Sequence, residues 1–231
     1  MHNSMSRTPS ASDKRHIQNC SLDPAEVGLW VGAGAGHDVY IYGQTHVVKI
    51  PKIRWIKEKL SIITAEDARQ NVRIIERHFR EYSLRCTVHA SREGNSYCLL
   101  QQKLDVFENL TSAHLRANKR LTDQLNDIIR RNKQLAEKHG MSLDFLGKEG
   151  CIQTALSSVF FGTAQMSNLV VVGHGMGAQL FIVDSNIFCL TRNGETLLPR
   201  KWMKDAEKCG HVVNRLMIGS AFGAHISGKE L

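Results

Sequence analysis

The stretch EVGLWVGAGAGHDVYIYGQTHVVKIP, residues 26–51, decides how this chain is read. Its β-branched and aromatic residues alternate with polar ones and are broken by Gly32, Gly34, Gly36 and Gly43, the mark of short strands with tight connections. It predicts three strands joined by a glycine loop and a tight turn. Working outward, residues 64–82 repeat Ala68, Val72, Ile75 and Phe79 at helical spacing, and Thr64 with Asp67 supplies a capping box. LRCTVHA and SYCLLQQKL, separated by SREGN, predict a further hairpin. Residues 23–104 are therefore expected to form a small antiparallel sheet with one helix inserted after its third strand.

Residues 1–22 are rich in Ser and Asn and lack apolar periodicity, so a mobile tail is expected there. Past Val106 the character changes. Leu121, Leu125, Ile128, Ile129 and Leu135 share one face of a long helix that stops at His139-Gly140. Residues 141–165 are ambiguous. SNLVVV, GHGMG and AQLFIVD then read as strand, turn and strand, and residues 202–216 read as helical. The expected class is α+β.

At 231 residues, with 42% hydrophobic and 23% charged side chains, the chain has a globular composition, which excludes fibrous and wholly disordered classes. No apolar run approaches the roughly 20 residues of a membrane helix, and the N-terminus lacks a secretory h-region, so a cytoplasmic protein without membrane contact is expected. The six cysteines, Cys20, Cys86, Cys98, Cys151, Cys189 and Cys209, form no CxxC pair; reduced, mostly buried thiols are expected rather than a zinc ribbon or disulfide framework. A net charge of +8 suits an anionic partner. The basic cluster of Arg116, Lys119, Arg120, Arg130, Arg131 and Lys133 carries no interleaved aromatics, so nucleic acid is not the expected partner and a solvated helix face is.

Three glycine clusters carry chemical readings. VGAGAG is followed by VYIYG, a strand, whereas a dinucleotide fingerprint needs a helix there. VVVGHGMGAQL has Gly175 where a nucleophile elbow needs serine, so it reads as a hairpin turn. Read as a phosphate-covering flap, the first cluster fits better: Gly32, Gly34 and Val39 match G-x-G-x-x-G-x-V, with His37 at the third glycine and Gly36 displaced by one. Backbone N–H groups can approach phosphate oxygens where no Cβ intervenes; an ordinary glycine-rich turn gives the same sequence. Ten residues on, Lys49 stands within the apolar strand Val47-Val48-Lys49-Ile50, a setting that calls for an edge or an anion.

Glycine loop, strand lysine and following helix together resemble the N-lobe of the protein-kinase-like superfamily. More narrowly, VGAGAGHDVY, VVKIP and IVDSN resemble the small atypical kinase-like proteins of bacteria, over roughly residues 26–190. The resemblance implies a two-lobed fold, with the antiparallel N-lobe at 23–104 and a reduced, mainly helical C-lobe at 105–231. It implies ATP and Mg2+ as cofactors, with Gly32, Gly34 and Val39 over the phosphates and Lys49 upon them. Lys49 is then expected to pair with a helix glutamate, Glu76 on geometry or Glu66 near the helix start. The hinge, Gln101 and Leu104, would present backbone to adenine. Asn168 and Asp184, at the ends of hairpin 166–186, would hold the magnesium, although Asn168 could equally begin a turn.

The departures are as specific. Five residues before Asn168, where the family carries its catalytic aspartate, stands Thr163; the nearest upstream aspartate is Asp144, a candidate for orienting the acceptor hydroxyl or a plain turn residue. Ser185 and Asn186 follow Asp184 in place of Phe and Gly. Two functions stay open: ATP-dependent phosphoryl transfer to a protein or small-molecule hydroxyl, and a catalytically inactive pseudokinase that serves as a binding module.

Overall fold

The computed structural model describes residues 7–33, 37–52, 64–94, 96–143, 165–184 and 187–189. The chain is α+β and divides into two compact units, one of Met1–Arg73 with Leu84–Asp105, the other of Ile74–Ser83 with Val106–Leu231. Among the described residues no helix is long and apolar enough to cross a membrane.

The first unit is a five-stranded antiparallel sheet of β1 (Val27–Ala33), β2 (His37–Tyr42), β3 (His46–Pro51), β4 (Cys86–Ala90) and β5 (Tyr97–Gln102), ordered β1-β2-β3-β5-β4. The three strands and the later hairpin expected from the sequence are present. Alternation sorts the side chains onto two faces. Tyr40, Val48, Ile50 and Cys98 form one core, and Tyr97 and Leu99 form another with Ala65 and Ala68. The β2–β3 turn needs Gly43, whose φ is +57° and whose N–H donates to the Glu26 carbonyl at 2.9 Å.

The helix that covers the first core was not expected. Residues 1–22 read as a tail, yet α1 spans Ala11–Asn19. Ser10 caps it: the Asp13 N–H donates to Ser10 Oγ at 3.1 Å, and Asp13 Oδ2 accepts from the Ser10 N–H at 2.9 Å. Ile17 and Cys20 are fully buried against the sheet, Tyr40 donates its hydroxyl to Asp13 at 3.0 Å, and the Arg92 N–H donates to the Asn19 carbonyl. A helix anchored by so few apolar side chains has no period to read, and its stability comes from the sheet.

On the other side of β3 in sequence, α2 runs over Ala65–Phe79, followed by a 3-10 turn at Arg80–Tyr82. The cap is the expected one: the Asp67 N–H donates to Thr64 Oγ1 at 3.1 Å and the Thr64 N–H to Asp67 Oδ2 at 2.9 Å. Ala65 and Ala68 pack in the first unit, while Ile75 and Phe79 belong to the core of the second.

The second unit holds β6 (Glu108–Thr111), α3 (Ser112–Ala117), α4 (Lys119–His139), β7 (Met141–Leu143), β8 (Gln165–Val172), β9 (Gln179–Ile182) and β10 (Ile187–Cys189). Helix α4 buries Leu121, Leu125, Ile128 and Leu135 against Leu169, Val171 and Leu180, the face that the sequence marked, and ends at Gly140 with φ +62°. Its polar face carries Lys119–Asp123 and Arg130–Asp127 ion pairs. A mainly helical second half was expected; among the described residues it also contains a three-stranded sheet, β6-β8-β9, and the pair β7–β10. These strands are three to eight residues long, and β6 and β7 pair with segments distant in sequence, so local pattern does not announce them. The expected hairpin is β8–β9, in register from Leu169 opposite Ile182 to Val172 opposite Gln179. Its GHGMG turn requires Gly173, where φ is +79° and a Cβ would stand 3.3 Å from the Gly177 carbonyl oxygen. Asn118 holds that turn by donating to the Gly175 carbonyl at 2.7 Å.

Candidate functional site

In the first unit, β3 sets Lys49 between Val39 of β2 and Leu99 of β5. Strand alternation turns it to the face of Leu99, opposite to Val48 and Ile50, and it is 8% exposed. Gly32 pairs with Val39, and a Cβ built on Gly32 would meet nothing within 4 Å. Packing therefore does not demand glycine at position 32. Gly34 and Gly36 lie outside the described residues. His37, at the third glycine position of the flap pattern, is a packed residue: its Nε2 lies 3.1 Å from the Tyr97 hydroxyl, with the rings edge to face.

Gln101 is buried within the ladder, opposite Val47 on one side and Cys86 on the other; the next N–H groups, of Gln102 and Lys103, donate to the carbonyls of Arg85 and Thr45. Of the pair expected at the hinge, Gln101 lies within β5 and Leu104 beyond it. Glu76 lies in the second unit and is exposed, at the edge of the Val72, Ile75 and Phe79 face and not within it. Glu66 is exposed too, and engages Arg69 at 3.2 Å and Arg73 at 3.6 Å along its own helix.

In the second unit, the Asn168 carbonyl accepts the Val183 N–H at 3.1 Å, which extends the β8–β9 ladder by one rung. Asn168 and Asp184 therefore come to the same open end of the hairpin, across from the GHGMG turn. Asn168 is buried and Asp184 half-buried. Both offer hard oxygen donors of the kind that magnesium prefers. Asp144 and Thr163 lie outside the described residues.

The same unit contains a cleft of about 320 Å³ that the sequence did not announce, lined by Val106, Phe107, Glu108, His114 and His174 among others. His114 is fixed in it. Nδ1 accepts the Thr111 N–H at 3.2 Å, so Nε2 carries the proton and donates to Glu108 Oε2 at 3.1 Å. It meets Leu121 and the GHGMG turn at Gly175, but none of the residues expected to hold phosphate or metal lines it.

A second unannounced group lies under α1. The donor atoms of His16, Cys20 and Cys98 all lie within 4.8 Å of one another. His16 Nε2 is 4.0 Å from Cys20 Sγ, 3.0 Å from the Tyr97 carbonyl and 3.4 Å from Ser96 Oγ. The hydrogen bond from Cys98 holds the Cys20 thiol well below its usual range, with His16 adding to the effect, while the same bond and burial push Cys98 up. The sequence held half of the signal: His16 and Cys20 are four residues apart, one helical turn.

No protein-family model, curated protein or solved structure matches this chain.

Proposed function

We propose that the chain is a kinase-like protein that binds ATP with Mg2+ and transfers a phosphoryl group to a hydroxyl acceptor. The observation that carries the proposal is the extra rung from Val183 to Asn168, which brings a buried asparagine and an aspartate to one end of a hairpin. A lysine 8% exposed within a five-stranded antiparallel sheet supports it, as does the capped helix that follows that strand. In this reading Lys49 and the β1–β2 connection take the phosphates, and Asn168 and Asp184 take the metal, which supplies charge neutralisation on the transferring group. The residues contribute positioning and electrostatics and form no covalent intermediate.

The reading is tested by thermal unfolding with millimolar ATP, with and without Mg2+. A ligand at a hundred times its Kd stabilises by about 2.7 kcal/mol, which for a chain of this size raises Tm by roughly 5–10 °C. Lys49→Ala should abolish the shift, and Asp184→Asn should remove its dependence on magnesium. An unchanged Tm at millimolar nucleotide overturns the reading. Phosphate release under the same conditions separates an enzyme from a nucleotide-binding module, since the module shows the Tm shift without turnover.

A further inference from the structure

We propose that His16, Cys20, Cys98 and His89 bind one thiophilic divalent cation of the zinc type, which clamps α1 onto the sheet. Tetrahedral coordination with Zn–S of about 2.3 Å and Zn–N of about 2.1 Å sets donor atoms about 3.4–3.8 Å apart, and a nitrogen and a sulfur about 3.6 Å. The His16 Nε2 to Cys20 Sγ distance of 4.0 Å lies close to that, and all three donor atoms fall within 4.8 Å of one another.

The placement is built by two elements. His16 and Cys20 project from successive turns of α1 and its cap, while Cys98 comes from β5 in the same buried core as Cys20. For the fourth ligand we take His89 from register, its ring nitrogens lying outside the 4.8 Å group of the other three. His89 of β4 stands directly opposite Cys98, and opposed residues of an antiparallel pair share a face, here the face that α1 covers. His89 is half-buried on that face. Two sulfurs and two imidazoles form a set selective for zinc over magnesium or calcium.

The chemistry balances without a redox partner. Both sulfurs bind as thiolates, so any thiol proton that Cys20 or Cys98 still carries goes to solvent as the metal–sulfur bonds form, and uptake tightens as pH rises. His16 stays neutral: its Nε2 proton, which is donated to the Tyr97 carbonyl in the metal-free form, is replaced by the metal, and Nδ1 becomes the protonated nitrogen. With Cys20 1% exposed and Cys98 fully buried, the metal has no room for substrate and its role is structural.

The test uses the full chain purified under reducing conditions, with zinc measured after chromophoric chelator release and Co2+ as the spectroscopic probe. Expected are one zinc per chain and a cobalt spectrum with thiolate charge transfer and the intense visible bands of tetrahedral coordination. Cys20→Ala and His16→Gln should weaken zinc at least tenfold, with folding checked by circular dichroism, and His16→Gln should retain the charge-transfer band. His89→Gln should also weaken zinc at least tenfold; an unchanged affinity overturns the four-ligand site. The proposal is overturned by absence of stoichiometric zinc, by equal binding in a Cys20→Ala/Cys98→Ala double variant, or by a Cys20–Cys98 disulfide that survives the reducing purification.

Discussion

Ile17→Ala tests whether α1 is part of the folded domain. Ile17 is 0% exposed and packs among Tyr40, Val48, Ile50 and Cys98. The substitution removes three carbon atoms, about 2.4 kcal/mol at roughly 0.8 kcal/mol each. The cavity left under the helix adds to this, within the range of 2–5 kcal/mol that truncation of a buried aliphatic residue to alanine costs. We take about 3 kcal/mol. Because Ile17 is the buried side chain of α1 itself, most of that loss falls on the docking of the helix rather than on the sheet.

Hydrogen exchange followed by mass spectrometry, with a metal chelator present throughout, reads that docking directly. The wild-type amides of residues 14–22 should exchange slowly, held by the helix and by the bond from Leu22 N–H to the Ile17 carbonyl. A loss of 3 kcal/mol raises their exchange rate by about a hundredfold at 1.4 kcal/mol per factor of ten. The amides of β2 and β3 should change much less. Ile17→Val, which removes one methyl group, should cost 0.5–1.5 kcal/mol and give a graded, smaller acceleration. Wild-type exchange at the rate of an unstructured peptide, or equal protection in Ile17→Ala and wild type, would refute the docking of α1.

Glycine substitutions separate packing from chemistry. Gly173→Ala should destabilise the chain by about 1–2 kcal/mol in urea unfolding, since alanine meets both a φ of +79° and the Gly177 carbonyl, whereas Gly32→Ala should stay within about 0.5 kcal/mol and reduce only the ATP-dependent Tm shift. Gly140→Ala, at the φ +62° stop of α4, should cost about 1 kcal/mol in the same assay. Arg131 donates to Glu81 at 3.0 Å and to the His78 carbonyl at 3.1 Å, pairs with Asp127 at 2.8 Å and covers the Tyr82 ring, so Arg131→Met should cost about 1–2 kcal/mol, between an exposed ion pair and a buried one. Hydrogen bonding from Arg131 lowers the Glu81 pKa; at Asp127 burial pushes upward, but the bonds from Arg130 and Arg131 outweigh it and the pKa is also lowered. With both folded-state values depressed, their contribution is complete above the ordinary carboxylate range and disappears as pH falls through the folded values. Acid titration of Tm should therefore show a decline in wild type that is shallower in Arg131→Met.

How much of the fold the sequence discloses depends on whether a segment's own side chains record what it packs against. Helix α4 does so fully: Leu121, Leu125, Ile128 and Leu135 repeat along one face, and a glycine stops it. Helix α2 discloses even its cap. Helix α1 carries the same capping box, at Ser10 and Asp13, but buries only Ile17 along its length, and one buried side chain makes no period. The β4–β5 hairpin was legible because both partners are local. Strand β7, by contrast, pairs with β10, whose Ile187 stands opposite Leu143, and three residues with a distant partner carry no local mark.

The same reasoning explains why the sites divide as they do. Asn168 and Asp184 were legible as a pair because one hairpin joins them, so the register that brings them together is written in the residues between them. His16, Cys20 and Cys98 meet only after α1 docks on β5, and the surface that docks is a core face. There a cysteine passes for a small hydrophobe and a histidine for a packed ring, so their presence strengthens the apolar reading of the segment instead of interrupting it. Had the cluster faced solvent, its polar residues would have broken the hydrophobic pattern and drawn notice. Facing inward, the His16 and Cys20 pair, four residues apart in a segment with a capping box, is the signal the sequence carries, and it gains meaning only with the partner that β5 supplies.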